Sequence, residues 1–210
     1  MTVRAWGLRG LRATAFVGAT ALAGCGGTPG GPPPPSDGTL TLSFAPASAQ
    51  VSSLTLASAG VQLEGITIIG DVAPDGRSMI SELQIDALST GSSVKLGAIP
   101  QGVYSRVRFN LEHVAVQGSW RGAPLQVQLE SDNGTPVDLS SSSGVDVAPG
   151  HDGTFAVTLD VGSWFAGQLL DGATQSQGQI VIDAANNTTV AAQLKSRVAA
   201  SFTLKASTLP

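Results

Sequence analysis

The chain has 210 residues and a formal net charge of −4, with 11 Lys and Arg against 15 Asp and Glu, two histidines and one cysteine. An acidic balance without a basic cluster in the mature domain makes it a poor partner for nucleic acid or anionic lipid. A single cysteine excludes a disulfide framework and a cysteine-rich zinc site.

The N-terminus reads as a targeting device. Arg4, Arg9 and Arg12 form a basic head, and Ala13 to Leu22 follow as a short apolar run. That run is about half the ~20 residues a membrane span requires, whereas a charged head, short apolar run and small residues at a cleavage site define a secretory signal peptide. Leu22-Ala23-Gly24-Cys25 closes it and resembles the lipobox of bacterial lipoproteins. The resemblance implies a diacylglyceryl group on the Cys25 sulfur, cleavage before Cys25 and N-acylation of the new terminus, so the partner expected first is a membrane, reached through lipid. Gly26 stands where the inner-membrane retention signal of double-membraned bacteria carries Asp. By that resemblance the expected address is the cell envelope, at the outer membrane where a cell has both. All three arginines named precede Cys25 and all acids follow it, leaving eight basic against 15 acidic residues in the mature chain, a net charge of −7.

Residues 1–24 are thus expected to be a signal peptide, 25–38 the lipidated cysteine and a Gly/Pro-rich linker, and 39–210 one domain. The linker holds Pro32 to Pro35 between glycines. Proline lacks an N–H and glycine has no side chain to bury, so an extended spacer is expected rather than helix or ladder.

From Thr39 the pattern turns to period two. Leu40, Leu42 and Phe44 alternate with polar residues up to Pro46, Leu54 and Leu56 repeat it, and Val61 to Ile69 make a longer strand closed by Gly70. Asp71 to Gly76 is a turn by composition. Leu83, Ile85 and Ala87 mark another strand, and Ser93 to Ile99 a short one before Pro100-Gln101-Gly102. Val107, Phe109 and Leu111 then face away from Arg106, Arg108, Asn110 and Glu112, and Leu125, Val127 and Leu129 return against Gln126, Gln128 and Glu130. This predicts a hairpin turning over Gly118 to Gly122, with one face buried and one wet. Pro136–Leu139 and Val145–Val147 are expected as short edge pieces around a loop, Ser140 to Ser143, and Phe155, Val157, Leu159 and Val161 as a strong strand. Ser163-Trp164-Phe165 suggests a single helical turn, Asp171 to Gly178 a loop, and Ile180 to Ile182 a brief strand. Val190, Leu194, Val198 and Phe202 recur every fourth residue, which predicts a C-terminal helix capped by Asn187 or Thr188; a terminal strand over 198–204 is the alternative.

Short strands with polar turns and no βα alternation predict an all-β, antiparallel β-sandwich with one short C-terminal helix. Gly38-Thr39-Leu40-Thr41-Leu42-Ser43 and the run from Ile99 to Phe109 resemble a transthyretin-like sandwich of bacterial lipoproteins of unknown function. In that family a Gly-x-Tyr element, here Gly102-Val103-Tyr104, leads into a core strand. The family's acidic Asp-Ala-Pro is replaced here by Phe44-Ala45-Pro46. The resemblance implies a fold and no activity.

Chemistry-bearing residues are sparse. His113 falls at a bulge or edge and His151 in the turn Pro149-Gly150-His151-Asp152-Gly153; without cysteine the pair supplies no zinc set. No Gly-x-Ser-x-Gly occurs. Asp71 and Asp75, Asp132 with Asn133 and Asp138, and Asp146 with Asp152 read as oxygen-rich loops of the kind calcium uses, yet none has EF-hand spacing, and Asp and Asn also favour turns. Trp120 beside Arg121 at the expected hairpin tip is either a contact pair for a ligand or a lid folded over the sandwich end. No cofactor is expected. The expected role is a non-catalytic envelope module that binds or scaffolds, its partner an envelope protein or polysaccharide and not nucleic acid; a glycan- or calcium-binding module and an envelope hydrolase are the alternatives.

Overall fold

A computed structural model describes residues 37–208 apart from 48–50, 52, 74 and 90. The signal peptide, Cys25 and the linker up to Ser36 lie outside the described residues.

Among the described residues, ten strands and two helices follow in the order β1 Gly38–Ala47, β2 Leu54–Gly70, β3 Arg77–Asp86, β4 Ser92–Ile99, β5 Gly102–Trp120, β6 Ala123–Val147, β7 Asp152–Asp160, α1 Val161–Trp164, β8 Gln175–Ser176, β9 Gln179–Ile182, α2 Thr188–Ala200 and β10 Phe202–Thr208, with a 3-10 turn at Leu169–Gly172. They form a four-stranded sheet, β10-β7-β1-β4, and a six-stranded sheet, β3-β2-β5-β6-β9-β8. The inner faces carry the residues that alternation assigns to the core. Leu40, Leu42 and Phe44 of β1 and Phe155, Val157 and Leu159 of β7 are buried, opposite Val107, Phe109, Leu111, Val114 and Val116 of β5. Phe109 meets Phe202 edge-on across the two sheets, centroids 5.1 Å apart, an arrangement that adds to the area both rings bury.

The sandwich stands, but its sheets are mixed rather than wholly antiparallel. β1 pairs parallel with β7, Leu42 opposite Phe155, and β6 pairs parallel with β9, Leu125 opposite Ile180. A parallel partner is distant in sequence, so no turn composition announces it.

The strands around the serine run also differ from expectation. β6 is one strand of 25 residues paired to β5 along its length. Leu111 and His113 of β5 face Thr135 and Glu130, so Ser131-Asp132-Asn133-Gly134 is extruded from the ladder. Tyr104 and Arg106 face Val145 and Ser140, which extrudes Ser141-Ser142-Ser143-Gly144 in the same way. Each tetrad ends on a glycine with positive φ, 65° at Gly134 and 44° at Gly144, a backbone that suits glycine. Composition therefore locates two interruptions correctly, and the strand resumes after each against the same neighbour, as at an enlarged bulge. The Ser140–Ser143 segment is not a separate loop.

At the C-terminal end the helix and the strand both exist, in succession. α2 stops at Ala200, and Phe202 opens β10, pairing with Leu159. Val190, Ala191, Leu194 and Val198 are buried in the same core as Ile180, Ile182 and Trp164. Asn187 holds the N-cap position, as expected, but caps without its side chain. It sits in the left-handed region at φ 52° and makes no side-chain capping bond. Its side chain instead accepts from the Thr174 amide at 2.7 Å and donates to the Val181 carbonyl at 2.7 Å. The helical turn expected around Trp164 is α1, capped by Asp160, whose Oδ1 accepts from the amides of Gly162 at 3.1 Å and Ser163 at 3.3 Å. Trp164 Nε1 donates to Ser201 Oγ at 2.8 Å, tying α1 to the α2–β10 junction inside the core. Among the described residues no helix is long and apolar enough to cross a membrane.

Candidate functional site

The hairpin of β5 and β6 turns one residue later than composition suggests. Trp120 pairs with Ala123, and the two turn residues are Arg121 at φ 50° and Gly122 at φ 83°. Two successive positive φ values are what a tight two-residue hairpin demands, and Gly122 meets that without strain. Trp120 is consequently a strand residue facing the core, 8% exposed. Arg121 lies over its ring at 4.9 Å from the centroid and pairs with Asp171 at 2.7 Å. The tip is thus clasped to the 3-10 turn through a cation–π stack and an ion pair. Its indole is spent on the fold, which is the lid arrangement, with Arg121 paired rather than simply solvated.

The carboxylates considered for calcium are dispersed. Asp71 Oδ1 accepts from the Val103 amide at 2.9 Å, and Asp75 and Asp132 are exposed, in a turn and in the first extruded tetrad. Asp138 lies between two arginines, with Arg108 Nη2 at 2.8 Å and Arg106 also bonded to it. The Arg106 hydrogen bond, assisted by Arg108, holds the Asp138 carboxyl below its ordinary range despite some desolvation. Asp152 takes the Thr39 hydroxyl and the Lys95 ammonium, which lower its pKa in that order. Asp146, exposed, and Asp138 lie not in loops but on β6, paired with Val103 and Arg108 of β5, so the ladder rather than a cation fixes their backbone. Among the described residues no three His, Cys, Asp or Glu side chains converge. His113 is half-buried at the β5 bulge, as expected, and His151 is exposed in its turn, its amide bonded to the Ala148 carbonyl. The Ser140–Ser143 segment borders a shallow depression with Leu204, Lys205 and Ala206, in which Lys205 is the ionisable group.

The concave ground lies elsewhere, on the outer face of the six-stranded sheet. Burial of Val114, Val116, Leu125, Val127, Ile180 and Ile182 sends Ala115, Gln117, Gln126 and Gln179 to the opposite face. Across β3, β2 and β5, Gln62, Gln84, Asp86 and His113 surround a floor of Gly60 and Ala115 in a depression of about 380 Å³. A second depression, about 520 Å³, is bordered by Gln117, Gln126 and Gln179 over Gly118, Ser119, Thr55 and Pro124. A side chain at 118 would collide with the Thr55 carbonyl, so glycine there keeps β2 and β5 close beneath the floor. The third, about 410 Å³, is formed by Thr174, Ser176, Gln177, Asn186 and Asn187, and shares Gln179 with the second. Gln179 Nε2 donates to Gln126 Oε1 at 3.2 Å, which continues one wall into the next. Neither the second nor the third depression has an ionisable lining residue. Alternation places Gln126 on the wet face, but nothing local tells that Gln179, 53 positions later, lies beside it.

No family model matches the chain, and no curated protein matches it. Among solved structures it is similar to a candidate cell adhesion protein from Bacteroides ovatus ATCC 8483, at 13% identity over 60% of this chain and 40% of that one, with a TM-score of 0.21. The chain thus spans less than half of that protein, and a similarity so slight says nothing of function. The resemblances to a lipobox and to a transthyretin-like sandwich rest on their sequence motifs alone.

Proposed function

We propose that the chain is a lipid-anchored cell-envelope lipoprotein whose β-sandwich binds or scaffolds and performs no catalysis. The observation that carries this reading is the Leu22-Ala23-Gly24-Cys25 motif, placed between an arginine-headed apolar run and a Gly/Pro-rich spacer. Two or three acyl chains on one cysteine hold a protein at a bilayer, since each buried methylene contributes about 0.8 kcal/mol and a single chain binds only reversibly. The reading of the domain as a binder is supported by how its polar groups are used. Asp138, Asp152 and Asp171 are engaged with Arg106 and Arg108, Lys95, and Arg121 respectively, whereas the amides around Gln126 and Gln179 face open depressions.

The anchor is tested by expressing the full chain in a double-membraned bacterium supplied with an alkyne-tagged palmitate. The wild type should label and partition with membranes, and Cys25→Ser should do neither. Unchanged membrane partitioning of Cys25→Ser would remove the lipoprotein reading.

A further inference from the structure

The paired depressions joined at Gln179 have an unusual chemical make-up for a protein surface. The mature chain has 23 charged side chains by the sequence, and the same sheet face carries Arg106, Arg108 and Asp138 nearer its other end. Yet the ground from Gln117 through Gln126 and Gln179 to Asn186 has none among its lining residues. The nearest carboxylate, Asp183 behind the third depression, is already taken up by the Ala185 amide and by the amide and side chain of Asn186, so the lining itself offers a ligand no free charge to pair with. Phosphate- and carboxylate-rich ligands are disfavoured, because their affinity comes from Lys and Arg. Wholly apolar ligands are disfavoured as well, because an amide covered by hydrocarbon loses its water without gaining a partner, whereas the apolar ground of Ala57, Pro124 and Leu125 suits the C–H face of a sugar ring.

What does fit is a neutral molecule dense in hydroxyl groups. A glutamine or asparagine amide offers two N–H donors and a carbonyl acceptor on one rigid plane, and a hydroxyl both donates and accepts. The walls are also held in place before any ligand arrives. Asn187 binds the backbone of Thr174 and Val181 through its side chain, which fixes the β8–β9 hairpin against the start of α2. Arg121 and Asp171 tie the β5–β6 turn to the 3-10 turn that leads into Thr174. Such bracing lowers the ordering cost of binding. The path crosses β5, β6, β9 and β8, three steps of about 4.8 Å, so roughly 14 Å of a chain can lie on it.

We infer that the depressions sharing Gln179 are a binding site for an uncharged polysaccharide, read by the amides of Gln117, Gln126 and Gln179. This deepens the reading of the domain as a binder and is independent of the lipid anchor. No aromatic platform is present among the lining residues, so recognition rests chiefly on hydrogen bonds and one sugar ring gains little. A polymer laid across several strands gathers enough of these bonds to be retained by one copy, and many anchored copies on one polymer would hold it more tightly still.

The test is affinity electrophoresis of the full chain, purified in a polyoxyethylene detergent that carries no sugar headgroup. Native gels would contain dextran, galactomannan or hydroxyethyl cellulose as neutral probes, and alginate or polygalacturonate as anionic ones. The wild type should be retarded by at least one neutral polymer and by neither anionic one. The variant Gln126→Ala/Gln179→Ala should bind that polymer roughly tenfold or more weakly, the loss expected when two amides are removed. Its thermal midpoint should be unchanged, since both side chains lie on the outer face. Absence of retardation in all three neutral gels, stronger retention by alginate, or full retention of the double variant would each overturn the assignment. None of those outcomes bears on palmitate labelling, so the anchor and the site fail separately.

Discussion

Ser201→Ala probes the interior clasp that joins the two halves of the C-terminal region. Ser201 is 6% exposed, and its hydroxyl accepts the Trp164 indole N–H at 2.8 Å while donating to the Val198 carbonyl at 2.6 Å. Alanine removes the acceptor and leaves a buried indole donor facing a methyl group. The Val198 carbonyl keeps the Ser201 amide as a partner at 3.1 Å, so the cost falls on the indole alone. An orphaned buried donor costs about 1–3 kcal/mol. At roughly 2–4 °C per kcal/mol for a domain of this size, the thermal midpoint should fall by roughly 2–12 °C. The comparison that isolates the bond is a double-mutant cycle with Trp164→Phe, because phenylalanine removes the donor. Once it is gone, Ser201→Ala should cost markedly less, a coupling of about 1 kcal/mol or more. Urea unfolding of the full chain, followed by circular dichroism, measures all four proteins. Additive costs would show that Trp164 and Ser201 do not act as a pair and would refute the clasp.

Trp120→Ala should destabilise by about 3–5 kcal/mol in the same urea assay, because a buried aromatic is replaced by a cavity; an unmoved midpoint would place the ring in solvent. Arg121→Ala should cost less than about 1 kcal/mol, since its pair with Asp171 is exposed and screened. Acid should weaken the fold in a defined window. Asp138 is held low chiefly by the Arg106 hydrogen bond; burial pushes Asp183 up, but the Ala185 and Asn186 donors bring it down. A carboxyl with a depressed folded pKa leaves the unfolded chain to bind protons first as pH falls. Its stabilisation is therefore complete above the unfolded value, about 3.9, and is lost as pH drops through the folded one. Thermal midpoints should be level above about pH 5 and decline below about pH 4; a rise on acidification would contradict the pairing. Asp138→Asn should flatten part of that decline while costing no more than about 1 kcal/mol at neutral pH, given how exposed the pair is.

The parts of the fold legible in the sequence are those written in local alternation. Val107, Phe109 and Leu111, or Phe155, Val157 and Leu159, announce strand and inward face together, because a pleat has period two and one face is dry. Gly134 and Gly144 mark the interruptions of β6. That the strand resumes after each is decided by pairing with β5, which no window of β6 contains. Asn187 reads as a cap from composition, yet the packing of the β8–β9 hairpin claims its amide first. The parallel neighbours of β1 and β6 are long-range and leave no turn signal. For the same reason only half of the candidate site is legible. Gln117 and Gln126 declare their wet face by alternation, but their meeting with Gln179 and the Asn187 loop depends on the parallel pairing of β6 with β9.

The mass of the N-terminal peptide of the mature protein tests whether the sandwich hangs from an acylated cysteine, as proposed. Protein extracted from the membranes of expressing cells should yield, after proteolysis, a peptide beginning at Cys25 and carrying a diacylglyceryl group with an added N-acyl chain. A peptide that begins upstream of residue 25, or one that begins at Cys25 with a free thiol and a free amine, would contradict it.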